Sequence, residues 1–172
     1  MKKIISAALI LCMVFSFVAC SKDDGTPDGM KNVAGKNDAY YLYVPQSWTE
    51  NNNGVVGAKY SNTDTSNISV TAYGGNDYST VEDYWKDFKE NKVSTISTEF
   101  EVVKEKEPKV IGGKNAAQYV FKMTTGEVKY QVQQIFVLYS NIMYVITYTA
   151  TEENFDLHAE DVQKIISEFK FK

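Results

Sequence analysis

The sequence predicts an α+β domain in which a largely antiparallel sheet of six or seven strands has helices packed against it. Several segments alternate apolar and polar residues with a period of two, as half-buried strands do. Other segments place apolar residues at helical spacing, and short Gly- and Asn-rich turns separate the longer strands. One strand near the C-terminus is apolar on both faces, which requires cover on both sides of the sheet.

The first part of the domain contains three predicted strands. The segment AYYLYV from Ala39 is the first, and Pro45 and Trp48 end it in a turn. A short strand is predicted over residues 57–60. A longer one over 67–73 alternates, with one face more polar than the other.

Two helices are predicted from their apolar spacing. Ser79 and Glu82 have the S-x-x-E spacing of a capping box and begin a helix over about residues 80–92. The C-terminal segment from Asn154 contains the second. The apolar stripes of the two helices are Val81, Tyr84, Trp85 and Phe88, and Val162, Ile165, Ile166 and Phe169.

Between the helices the sequence predicts a run of strands joined by tight turns. Residues 98–105 alternate, and Pro108 marks a break before Val110 and Ile111. Three long strands follow over 117–124, 128–139 and 142–150. The turns between them are predicted at residues 112–115, 125–127 and 140–141.

The charged residues exclude several classes of function. The chain has 172 residues and a formal charge of −4, and all of its 18 basic residues are lysines. Without arginine, and with an acidic balance, it is not expected to bind nucleic acid. Its sole histidine, His158, argues against His-dependent catalysis and against a multi-histidine metal site.

The N-terminus has the pattern of a lipoprotein signal peptide over residues 1–19. Lys2 and Lys3 precede a 16-residue apolar run, which is shorter than the roughly 20 residues of a membrane span. The run ends in Phe17-Val18-Ala19-Cys20, which resembles the lipobox that directs diacylglycerol to the cysteine. We therefore predict lipidation of Cys20, with an ordinary signal or an uncleaved anchor as the alternatives.

Cleavage before Cys20 changes the composition of the exported chain. The formal charge falls from −4 to −6, and Cys12 leaves with the signal, so no free thiol remains. Residues 20–38 are interpreted as the lipidated cysteine and a flexible tether, and residues 39–172 as the domain. The net negative charge is expected to keep this domain off anionic lipid.

Several short motifs, taken in order, resemble the PsbP-like family. These are P-x-x-W at Pro45, N-x-x-V-T at Asn67, V-x-x-G-K-x-A at Val110, Y-x-I-T-Y at Tyr144 and I-I-S-E-F at Ile165. The family includes the extrinsic PsbP subunit of photosystem II and shares its fold with a Ran-binding import factor and with bacterial envelope proteins. The resemblance implies an α-β-α sandwich and a non-catalytic binding or assembly role in a bacterial lipoprotein.

Four groups of residues are candidates for functional sites. His158 with Asp156, Glu160 and Asp161 is interpreted as a solvated first helical turn rather than a metal site. Oxygen-rich residues at 61–67 and 74–77 are interpreted as turns rather than calcium loops. The remaining two groups are Tyr40, Tyr41 and Tyr43, which could stack on sugars, and Glu99, Glu101, Glu105 and Glu107, interpreted as a solvated edge rather than glycosidase carboxylates.

The sequence thus predicts a lipoprotein held at the cell membrane, on its extracytoplasmic side, that recognises another envelope protein. No catalytic residue, metal or cofactor is assigned, and an enzyme is not expected. The alternative is a lipoprotein that captures a glycan or small solute through exposed aromatic rings.

Overall fold

A seven-stranded antiparallel sheet forms the centre of the domain. The computed structural model describes residues 25–51, 54–74 and 77–172. The strand order in the sheet is β4-β5-β6-β10-β9-β8-β7. Its strands are β4 (Thr49–Glu50), β5 (Val56–Lys59), β6 (Asn67–Gly74), β7 (Glu99–Ile111), β8 (Lys114–Thr125), β9 (Val128–Tyr139) and β10 (Ile142–Thr151).

The remaining elements are short strands beside the sheet and helices on its faces. The strands are β1 (Met30–Asn32), β2 (Tyr40–Tyr41), β3 (Tyr43–Pro45) and β11 (Lys170–Phe171), paired as β1 with β3 and β2 with β11. The helices are α1 (Val81–Asp87), a π turn (Phe88–Lys92), α2 (Val93–Ile96), a 3₁₀ turn (Asp156–His158) and α3 (Ala159–Glu168).

Helices cover both faces of the sheet, as the doubly apolar strand required. On one face Tyr84, Trp85 and Phe88 pack against alternate residues of the central strands, among them Tyr119, Phe121, Val132, Phe136 and Val145. On the other face α3 packs over the intervening residues, among them Ile135, Val137, Tyr144, Ile146 and Tyr148. The predicted α+β class, with an antiparallel sheet between two helical layers, is confirmed.

The first helix begins one residue later than the predicted capping box. The Thr80 side chain accepts a hydrogen bond from the Asp83 backbone N–H at 3.0 Å, so Thr80 rather than Ser79 is the N-cap. Both pairs have the same three-residue spacing, and the sequence did not distinguish them. The π turn and α2 then carry the helical path to Ile96, four residues beyond the predicted end.

Pro108 does not interrupt its strand, contrary to the prediction. The ladder between β7 and β8 continues through Pro108, which lies opposite Ala117, and shifts register earlier, between Val102 and Lys104 and between Lys104 and Glu107. Because β7 is an edge strand, a missing N–H is tolerated on its unpaired side. The predicted turn after it is confirmed, with positive φ at Gly112 and Gly113.

The folded part of the chain begins earlier than residue 39. Met30, which is 2% exposed, and Val33 and Ala34 are buried in the main core, and Lys31 lies opposite Val44 in the pairing of β1 with β3. Part of the predicted tether therefore belongs to the domain. The apolar residues of an otherwise polar stretch fill a gap that the sheet and α3 leave open, a tertiary effect that local composition does not reveal.

Candidate functional site

Cys20, the predicted lipidation site, lies outside the described residues, as does the predicted signal peptide. Its modification therefore stays a prediction. Among the described residues, no helix has the length and apolar character needed to cross a membrane.

His158 is buried, so the interpretation of a solvated first turn is wrong for the histidine, whereas Asp156 and Glu160 are exposed. Its exposed fraction is 7%, and its Nε2 lies 2.7 Å from Asp64 Oδ2. The Tyr60 ring lies over the imidazole, with the ring centroids 4.0 Å apart. The 3₁₀ turn directs the imidazole inward, and its partner is 94 residues away in the chain, so the local sequence did not show this pairing.

Asp64 is held as a carboxylate by its hydrogen bonds. Burial alone would raise the pKa of Asp64, but hydrogen bonds from the Ser66 hydroxyl and backbone N–H and from His158 outweigh it and lower the pKa to about 2. The Ser66 hydroxyl and N–H lie 2.6 and 2.9 Å from Asp64 Oδ1. Asp64 therefore ties the loop before β6 to the start of α3.

We expect the free energy of unfolding to fall as the pH drops from about 4 to about 2. A carboxylate whose pKa is lower in the folded chain than in the unfolded chain stabilises the fold above the unfolded pKa, and this contribution disappears as the pH falls through the folded pKa. For Asp64, whose side chain is 18% exposed, it amounts to about 2 kcal/mol. Urea unfolding of wild type and Asp64→Asn between pH 2 and 6 measures it: the variant should show the shallower dependence, and equal slopes would contradict the assignment.

The other members of the acidic cluster do not join His158 in a metal site. Asp161 Oδ2 accepts a hydrogen bond from Trp48 Nε1 at 3.0 Å. The Asp161 carboxylate therefore holds α3 to the buried indole. Within residues 25–51, 54–74 and 77–172, no three His, Cys, Asp or Glu side chains are grouped so that they could hold a metal ion.

The oxygen-rich loop before β6 has the hydrogen bonds of a turn. Ser61 Oγ accepts from the backbone N–H groups of Thr63 and Asp64, at 3.3 and 2.9 Å. In the second candidate loop, the Asp77 N–H donates to the Gly74 carbonyl at 3.0 Å. These bonds fit the predicted interpretation of both segments as turns.

The tyrosines do not form an open platform for sugars. Tyr40 and Tyr43 are buried, whereas Tyr41 is 37% exposed, and its ring stacks on Tyr43 at 5.7 Å. The Lys172 ammonium lies 4.8 Å from the centroid of the Tyr41 ring. The ring that is accessible on this strand is therefore already covered in part by a cation and a second ring.

Two of the four carboxylates on β7, Glu105 and Glu107, hold the strand to the elements beside it. Glu105 Oε2 accepts from Trp85 Nε1 at 3.2 Å, and Glu107 accepts from Gln118 at 3.1 Å and from Lys109 at 2.9 Å. The hydrogen bond from Lys109 lowers the pKa of the Glu107 carboxyl. These two carboxylates hold the edge strand to the helix and sheet beside it.

The other two carboxylates, Glu99 and Glu101, line an open groove at one end of the sheet. Its first section has a volume of about 270 Å³, and an adjoining section of about 370 Å³ shares Lys129 and Glu152 with it. We call the whole the acidic groove. Its charged residues are Glu99, Glu101, Lys122, Glu127, Lys129, Glu152 and Glu153.

The acidic groove has excess negative charge on an accessible surface. Lys122 Nζ lies 3.3 Å from Glu152 Oε1, and Thr124 Oγ1 donates to Glu99 Oε2 at 3.0 Å. No ion pair within the described residues neutralises Glu101 or Glu127. Five carboxylates against two ammonium groups suit the electrostatic recognition of a basic surface on a partner.

The sequence contained only part of the signal for this groove. The alternation of Glu99 and Glu101 placed both on one face of a strand, but their neighbours come from three other strands. Glu101 lies opposite Lys122, and the Glu152 N–H donates to the Lys129 carbonyl at 3.1 Å. Only the order of the strands in the sheet brings them together.

The geometry defines the class as an α+β domain with a seven-stranded antiparallel sheet between helices, which is the PsbP-like fold. The chain is similar to the solution structure of cyanobacterial PsbP (CyanoP) from Synechocystis sp. PCC 6803, at 15% identity and a TM-score of 0.58, over 84% of this chain and 93% of that one. No protein-family model and no curated protein sequence matches it.

Two further solved structures share the fold. LpqN of Mycobacterium tuberculosis, described as involved in cell envelope biogenesis, is 13% identical with a TM-score of 0.57, over 83% of this chain and 90% of that one. A protein of unknown function from Pseudomonas aeruginosa is 14% identical with a TM-score of 0.56, over 80% of this chain and 94% of that one. At these identities the likeness concerns the fold.

Proposed function

We propose that the protein is a lipid-anchored lipoprotein on the extracytoplasmic side of the cell membrane, where its domain is a non-catalytic binding or assembly module for another envelope protein. The acidic groove is the surface that contacts this partner. The observation that carries the proposal is the combination of a sequence before Cys20 that resembles a lipobox with an open, charged groove at one end of the sheet.

The position of the groove supports this arrangement. The groove lies where β8 ends at Thr125, whereas β8 begins at Lys114, beside the short strands into which the N-terminal segment leads. Twelve residues of extended strand separate the two ends by roughly 35 Å. The groove therefore lies at the opposite end of the sheet from Lys114 and from β11, whose Phe171 packs against Gly112.

The hydrogen bonds of the buried polar side chains support a role in recognition rather than catalysis. His158 and Asp64 are bonded to each other, and Asp161 is bonded to the Trp48 indole. The groove is open to solvent and has more carboxylates than lysines, which suits electrostatic complementarity with a basic partner. LpqN, which has the same fold, is described as involved in cell envelope biogenesis, and that description fits an envelope role here.

Photo-cross-linking in intact cells tests the groove as the contact surface. A photoreactive residue at Glu101, in the groove, should give a cross-linked product of defined mass, whereas one at Glu90, exposed on the helical layer, should not. Reversing the charge of Glu152 and Glu153 should reduce the product from position 101 severalfold, because a basic partner loses its complement. Equal yields at positions 101 and 90 would contradict the proposal.

A further inference from the structure

Six lysines surround the N-terminal segment of the domain and the C-terminal strand that pairs with it. We call this surface the basic end. It consists of Lys31, Lys36, Lys114, Lys164, Lys170 and Lys172, together with the half-exposed ring of Tyr41.

Direct contacts join these lysines into one surface. Lys172 Nζ donates to the carbonyls of Gly35 and Lys36 at 3.1 and 3.2 Å, and Lys164 Nζ donates to the Asp28 carbonyl at 3.3 Å. Lys170 lies opposite Tyr41 in the pairing of β11 with β2.

Two further lysines extend the same surface. Lys31 Nζ donates to the Gln46 carbonyl at 3.3 Å. Lys114 lies over the Tyr139 ring at 4.7 Å, and that ring packs on Phe171 of β11 at 4.4 Å. The basic end therefore reaches from β1 to the turn between β7 and β8.

Five of the six ammonium groups of the basic end have no carboxylate partner among the described residues. Of the six, only Lys170 has a carboxylate of the described chain within 4.0 Å, Glu168 at 3.8 Å. Elsewhere in the described chain, five lysines form ion pairs with carboxylates: Lys89, Lys92, Lys106, Lys109 and Lys122. The positive charge of the basic end thus stays available to an outside anion.

The charge of the domain is unevenly distributed. The basic end has six lysines against five carboxylates, counting Glu160 and Asp161, which lie one turn before Lys164 on α3, whereas the rest of the described chain has nine lysines against fifteen Asp and Glu. At physiological ionic strength a surface charge acts over about 8 Å. The carboxylates of the acidic groove, at the other end of β8, lie beyond that range when the basic end is next to a membrane.

We infer that the basic end lies on the surface of the membrane and binds anionic phospholipid headgroups, which holds the acidic groove away from the bilayer. The inference rests on the proposed anchor at Cys20. The ten residues from Cys20 to Met30 span at most about 35 Å, so the anchor permits this contact. Tyr41, with its polar tip and half-exposed ring, suits the headgroup region of a bilayer.

Reconstitution of the lipidated protein into vesicles tests this orientation. A fluorophore is attached either to Asn37→Cys, beside Lys36, or to Glu127→Cys, in the groove. The vesicles contain lipids with a quencher on the headgroup, and the quenching of the two fluorophores is compared. In vesicles containing anionic phosphatidylglycerol, the fluorophore at position 37 should be quenched and the one at 127 should not. In 0.5 M NaCl, or in pure phosphatidylcholine, the quenching at 37 should disappear.

Two triple variants with equal net charge provide the control. The first variant replaces Lys36, Lys170 and Lys172 with Gln and removes half of the basic end. The second replaces Lys86, Lys104 and Lys106 with Gln and removes exposed lysines outside both the basic end and the acidic groove. At roughly 1 kcal/mol for each lysine near an anionic surface, the first should reduce the ratio of docked to undocked protein about 100-fold, and the second should not change it. Thermal unfolding of both variants shows whether they are folded.

The readouts separate the failure of this inference from the failure of the anchor. Flotation with pure phosphatidylcholine vesicles reports the lipid on Cys20 alone, and its absence would overturn the proposed anchor and with it the orientation that rests on it. Two results would overturn the docking of the basic end and leave the anchor in place. In the first, the protein floats with the vesicles and quenching is equal at positions 37 and 127. In the second, it floats and quenching at position 37 is the same in anionic and neutral vesicles.

Discussion

Replacement of Cys20 with alanine is expected to move the protein out of the membrane fraction by at least about tenfold, or to leave an uncut precursor. The cysteine supplies the thiol for the diacylglycerol, and two acyl chains hold a protein stably at a bilayer where a single chain does not. Fractionation of cells followed by immunoblotting measures both results, since the precursor is longer by the 19 residues before Cys20.

Cys12 provides the matched control for this variant. It lies in the predicted signal peptide, and Cys12→Ala should leave processing and membrane attachment unchanged. Unchanged membrane attachment of Cys20→Ala, with a product of wild-type length, would refute the lipidation of Cys20.

Replacement of Trp48 with alanine is expected to lower the free energy of unfolding by about 3 to 5 kcal/mol, as large-to-small changes in a core do. Trp48 is fully buried beside Tyr60 and His158, with ring centroids 5.9 and 6.1 Å away. Its indole N–H also donates to Asp161, so the variant leaves a cavity and removes the bond that holds α3 to the turn after β3. Urea unfolding monitored by circular dichroism measures the loss.

Two further variants separate the contributions at this position. Trp48→Phe keeps most of the ring volume and removes the donor, so a smaller loss of about 1 to 3 kcal/mol is expected. Val110→Ala is the surface control, since Val110 is 69% exposed and such changes stay within about 0.5 kcal/mol. A loss for Trp48→Ala as small as that of Val110→Ala would show that the indole does not hold this part of the core.

The strands of the sheet could be predicted because their signals are local. The alternation over β6 and β7, the doubly apolar end of β9 and the glycines at 112 and 113 depend only on neighbouring residues. The many charged residues of β7 are consistent with an edge strand. The edge position itself is established by the structure, in which β7 pairs only with β8.

The pairing of His158 with Asp64 could not be predicted, because each lies in a segment that is polar in its own right. An acidic first turn and an Asn- and Ser-rich loop have ordinary local explanations. Only the packing of α3 beside the loop before β6 brings the imidazole and the carboxylate within 2.7 Å. The same limit applies to Met30, whose partners in the core are distant in sequence.

The distribution of charge also required the structure. Net charge predicted a domain that is repelled by anionic lipid, but the lysines at 31, 36, 164, 170 and 172 come together because β11 returns to the N-terminal strands. The acidic groove is formed at the other end of the sheet by the same topology. Composition gives the net charge of the domain, but it does not show that the lysines and the carboxylates lie at opposite ends of the sheet.

The central claim is that the mature protein begins at a lipidated Cys20, since the compartment, the orientation and the partner all depend on it. Intact-mass spectrometry of the protein extracted from its native membrane tests this claim most directly. We predict the mass of residues 20–172 plus that of a diacylglycerol, carried on the N-terminal peptide. A mass that corresponds to all 172 residues, or to an unmodified chain cut elsewhere, would contradict it.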